Sequence, residues 1–83
     1  MTASKNIRKI RAKAGMSQQQ FALTIGVTQS AVSLYESGGR LPTLRTVYKI
    51  LDLCELEGLG KYKISDLIPR EDVLLSEHEV LCA

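Results

Sequence analysis

The stretch "SQQQFALTIGVTQSAVSLYESG", residues 17–38, joins two polar-to-apolar runs through a single glycine. Each run opens on a hydroxyl residue, Ser17 or Thr28. A helix of about eight residues is not stable alone in water, so neighbours must hold both at the angle the turn sets. Ser17 followed by Gln20 reads as a capping box, with the Gln20 amide donating to the serine oxygen and the Ser17 amide to the glutamine side chain. Met16 and Phe21 staple that helix start, and Phe21, Ala22 and Ile25 face inward. Gly26 ends the run by supplying the left-handed backbone a helix terminus needs. Thr28 caps the next helix, stapled by Val27 and Val32, with Ala31, Val32 and Tyr35 inward. Gly38–Gly39 closes it.

The neighbours are legible on either side. In "KNIRKIRAKA", residues 5–14, Ile7, Ile10 and Ala14 recur at helical spacing among basic residues, with Ser4 as the candidate cap and Gly15 as the stop. Pro42–Thr43 opens a fourth helix on Leu44, Val47, Ile50, Leu51 and Cys54. "ELEGLGKYK" reads as a flexible connection. "ISDLIP" reads as one helical turn, capped by Ser65 and halted before Pro69. In the final "REDVLLSEHEVLCA", Val73, Leu74, Val80 and Leu81 stand among acids, as a short amphipathic helix or a loose segment. The expectation is an all-α, compact bundle of about five short helices, with a helix-turn-helix in the second and third. Residues 1–68 form the domain and residues 69–83 an acidic, apolar C-terminal segment. A chain of 83 residues allows no second domain.

Charge narrows the function. Residues 1–49 hold eight basic residues against Glu36 alone, a net +7, and residues 50–83 hold three against eight acids, a net −5. A basic front and an acidic back suit one polyanion-binding surface. The major groove of DNA is wide enough to admit a protruding helix while the preceding helix lies across the backbone. Cys54 and Cys82 with the lone His78 cannot assemble a zinc set. Cys54 reads as a small core residue and His78 as a surface one. No nucleophile–base pair or phosphate-cradling glycine loop is present, which predicts a protein that is not an enzyme and takes no metal or cofactor. No apolar run spans a membrane and no apolar stretch follows the N-terminal charges, so the expectation is cytoplasmic.

Residues 5–55 resemble the helix-turn-helix domain of the phage repressor and Cro family. The likeness is carried by "R-x-x-x-G-M-S-Q", "G-V-T-Q-S-A-V-S", "Y-E-S-G-x-R-x-P" and the apolar fourth helix, within "IRKIRAKAGMSQQQFALTIGVTQSAVSLYESGGRLPTLRTVYKIL". The resemblance implies base contacts by Gln29, Ser30 and Ser33, residue types that hydrogen-bond base edges. Leu34 faces either a thymine methyl or the core. Phosphate contacts are expected from Gln18, Thr28, Tyr35, Arg40 and Thr43, with Gln18 also bracing Gln29. Arg11 and Glu36 are expected to form a structural bridge between the first and third helices. Lys5, Arg8, Lys9 and Lys13 read as a solvated face without assigned contacts. Leu67, Val73, Leu74, Val80 and Leu81 are assigned to self-association or a partner, against folding back onto the domain's own core. The implied function is a transcriptional repressor on double-stranded DNA, binding a palindromic operator as a homodimer or higher oligomer. The alternative is an antitoxin, or a repressor controlled by an antirepressor, whose C-terminal part binds that protein.

Overall fold

Residues 2–68 are described by the computed structural model, and they form five helices: α1 (Thr2–Lys13), α2 (Gln18–Ile25), α3 (Gln29–Ser37), α4 (Leu44–Glu57) and α5 (Ile64–Leu67). Among the described residues there is no strand. Val73, Leu74, His78, Val80, Leu81 and Cys82 lie outside them.

Three hydroxyls start three helices. The Gln20 amide donates to Ser17 Oγ at 3.1 Å and the Ser17 amide to Gln20 Oε1 at 2.9 Å, closing the expected box. Thr28 Oγ1 accepts from the Ala31 amide at 3.1 Å and Thr43 Oγ1 from the Thr46 amide at 3.3 Å. Each bond satisfies a donor the first helical turn leaves without an intrahelical acceptor. Gly26 ends α2 at φ +74°, and the amides of Gly26 and Val27 both donate to the Ala22 carbonyl. That reversal sets α3 against α2.

Local readings failed in three places. α1 begins at Thr2, two residues before Ser4, and Ser4 is buried inside it. Ala3, Ile7 and Ile10 line one buried stripe, so burial of Ala3 favours another helical turn over a cap at Ser4. α4 runs on through Glu57, which turns "ELE" from connection into helix. The loop beyond is packed, with Leu59 buried and Tyr62 half-buried against the core. The start of α5 is set by Asp66, whose carboxylate accepts the Lys63 amide at 2.8 Å, and Ser65 sits exposed within the helix. A carboxylate at that spacing is a stronger acceptor than a hydroxyl.

Ile7, Ile10, Phe21, Ile25, Val32, Val47, Ile50, Leu67 and Ile68 are fully buried. α1 lies against α3 and α5, α2 against α3 and α4, and α4 against α5. Leu67 is thus a core residue and has no surface for a second chain, which corrects its assignment to self-association. α5 is too short to bury its stripe except by docking. Asn6 Nδ2 donates to the Asp66 carbonyl at 2.8 Å and ties α5 to α1, and Lys13 Nζ donates to the Leu59 carbonyl at 3.4 Å. Cys54 is buried in the core; burial pushes its thiol pKa up, and the Lys13 charge opposes that only in part.

At Gly26 an added Cβ would stand 2.9 Å from Lys49 Nζ, the movable end of a long side chain. The penalty is therefore in the backbone. Gly26→Ala is expected to destabilise the domain by about 1–2 kcal/mol, read as a lower urea midpoint at unchanged slope.

Candidate nucleic-acid interface

Glu36, the one acid among residues 1–49, sits in the last turn of α3 and is only 6% exposed. Arg11 of α1 grips it with both faces of its fork, Nε to Oε2 at 2.6 Å and Nη2 to Oε1 at 3.0 Å. The remaining Arg11 nitrogen, Nη1, donates to the Met16 carbonyl at 3.1 Å, just ahead of α2. Gln18, the first residue of α2, donates from Nε2 to Glu36 Oε1 at 3.4 Å. Arg8 adds a bond from Nη2 to the Glu36 main-chain carbonyl at 3.3 Å and holds its Nε 3.7 Å from Oε1. Three helices converge on one carboxylate.

Burial alone would raise the pKa of the Glu36 carboxyl. The hydrogen bonds from Arg11 and Gln18, with the charges of Arg11 and Arg8, outweigh it and hold the pKa below the ordinary value. Arg11 is shifted upward, first by its hydrogen bond to Glu36. The bridge expected between the first and third helices is therefore present, and the acid is neutralised where it stands. Sequence reasoning missed Arg8. Its signal was its place three residues before Arg11, on the same side of α1.

The leading end of α3 is open. Gln29, Ser30 and Ser33 are exposed and Leu34 is 42% exposed; with half-buried Gln18 they line one shallow depression of about 490 Å³. The Gln18 amide group braces Glu36, where the expectation was Gln29; the two glutamines share the depression instead. Thr28 and Thr43 are exposed helix caps, their hydroxyl oxygens already accepting one backbone amide each. Arg40 is exposed just past the end of α3, its amide donating to the Leu34 carbonyl at 3.3 Å. Tyr35 is 5% exposed and its ring belongs to the core, which leaves little surface for the expected phosphate contact.

A short helix joined to a second by a glycine turn, with the second helix's leading edge exposed, defines a helix-turn-helix module. The chain belongs to the Helix-turn-helix family of the lambda repressor/Cro-like type, whose family model matches residues 7–58. That is a family of DNA-binding transcription regulators. α5 lies past the matched span yet shares the same core. Over 44 residues the chain is 43% identical to an uncharacterised HTH-type transcriptional regulator of Archaeoglobus fulgidus, covering 53% of this chain and 63% of that protein. The chain thus spans less than two thirds of that relative's length. No solved structure matches it significantly.

Arg11→Ala would leave a buried carboxylate without its main partner and is expected to lower stability by about 3 kcal/mol, measured by urea unfolding at neutral pH. The depressed Glu36 pKa also carries a pH dependence. The stability it contributes is fully present above the unfolded-chain glutamate value, about 4.3, and is lost as pH falls through the lower folded value. Glu36→Gln is expected to be less stable at pH 7 and to lose this share of the acid dependence in a pH series of unfolding curves.

Proposed function

We propose that this chain is a sequence-specific DNA-binding regulator that represses transcription by occupying a palindromic operator as a homodimer. One observation carries the reading: the polar edge of Gln29, Ser30 and Ser33, with Gln18 beside it, is open on the basic half of the chain, while the sole acid there is buried and paired. A glutamine amide can bond adenine at two atoms, serine suits either base, and exposed Leu34 suits a thymine methyl. Gln18 at the start of α2, Thr28, Thr43 and Arg40 are assigned to phosphate, with the Tyr35 hydroxyl as the least accessible member. One such module reads only a few base pairs, so useful specificity calls for two half-sites about 34 Å apart. Repression follows from occupancy, since blocking polymerase needs no further domain. For Val73, Leu74, Val80 and Leu81 the proposal is a contact with a partner protein, supported by their apolar character among acids.

Selection from random duplexes at stated salt, followed by sequencing, is expected to return a palindrome with half-site centres one helical turn apart. Recovery of no enriched motif would refute the proposal. Gln29→Ala is expected to lower discrimination at one base pair per half-site by about 1–3 kcal/mol without changing the unfolding midpoint. Affinity is expected to fall linearly on a log–log salt plot, with a slope of about −0.9 for each phosphate neutralised.

A further inference from the structure

The exposed face of α4 carries none of the residues assigned to DNA, and its charges have a direction. Arg45, Lys49, Asp52 and Leu56 follow one another at helical spacing along a single exposed stripe. The stripe is basic in the first half of the helix and acidic, then apolar, in the second. Leu56 is 83% exposed and Leu23 of α2 is 77% exposed, the two most exposed large apolar side chains among the described residues. They meet across a groove of about 360 Å³ that Lys49 and Asp52 also line. Exposed apolar groups from two helices gathered at one groove mark a contact surface.

We propose that this face is where two copies of the chain meet, with α4 packed antiparallel to α4 of the second copy. This rests on reading the chain as a homodimer and names its surface. A two-fold axis passing between Ile50 and Leu51 sets Lys49 opposite Asp52 of the other copy. The same axis sets Arg45, whose long aliphatic stem can cover apolar surface, opposite the other Leu56. Lys49 and Asp52 thus meet their opposites twice, Arg45 meets no like charge, and the contact is self-complementary as a two-fold interface must be. α1 offers no such match: it carries Lys5, Arg8, Lys9, Arg11 and Lys13 with no acid, so two copies would repel there. The open depression beside α3 is lined by none of these residues and stays free for DNA.

Sedimentation equilibrium of the full chain without DNA tests the proposal by charge reversal. Wild type is expected to be dimeric in the micromolar range. Lys49→Glu and Asp52→Lys should each weaken the dimer about tenfold or more, because like charges then face each other twice across the axis. The double variant should regain most of the loss, a rescue that a fold defect would not produce. Should a charge variant lose helical circular dichroism, Leu56→Lys, which sets a second cation opposite Arg45, and Leu23→Asp, at strongly exposed positions, serve in its place and are expected to yield folded monomers. A monomeric wild type, single variants that dimerise normally, or a double variant no better than the singles would each overturn the proposal. Loss of the dimer in Leu74→Asp but not in Lys49→Glu would move the contact to residues 69–83 and overturn it as well. Half-site preference in selected DNA depends on Gln29 and not on this face. A failed α4 contact with an intact half-site motif therefore leaves the DNA reading standing.

Discussion

The carboxylate of Glu36 is the point at which α1, α2 and α3 are tied together. Arg11 spans it, Gln18 reaches it from the start of α2, and Arg8 holds the main chain beside it. Apolar packing of Phe21, Ile25 and Val32 can hold α2 and α3 close, but apolar contacts are not directional. A two-pronged guanidinium–carboxylate pair is directional. It therefore supplies what the small core cannot: a set orientation of α3 relative to α1. A buried pair is poor evidence of net stability, since taking both charges out of water offsets much of their attraction. Its value here is positional.

The position has an electrostatic consequence. A carboxylate free on α3 would repel a polyanion along the helix meant to approach it. Burial against two arginines removes that repulsion and leaves the polar edge of Gln29, Ser30 and Ser33 facing outward. Gln18 belongs to both arrangements. Its amide steadies Glu36 while its backbone opens α2, so the open edge and the ion pair are joined through a single side chain.

Features set by neighbours in sequence were the legible ones. The Ser17–Gln20 box and the Thr28 and Thr43 caps depend on bonds spanning three residues, and all three formed as read. The Arg11–Glu36 bridge spans 25 residues; it was legible because one acid among eight bases demands a partner and because family resemblance supplied which one. Where long-range packing competed with a local signal, packing prevailed. Ser4 looked like a cap until Ala3 was worth burying, and Leu67 looked like a surface leucine until Asn6 tied α5 to α1. The Lys13 bond to the Leu59 carbonyl crosses 46 residues and has no sequence signal at all. The groove between Leu23 and Leu56 was equally hidden, because its walls come from α2 and α4, which are not consecutive in the chain.

The central claim is that α3, oriented by the Glu36 cluster, presents its first turns to bases. Backbone amide NMR of the full chain, titrated with a duplex recovered by selection, tests it most directly. The account predicts the largest shift changes at Gln18, Gln29, Ser30 and Ser33, with little change along α5. Changes centred on α5 or on the Lys5–Lys9 stretch, with Gln29 and Ser30 unmoved, would contradict it.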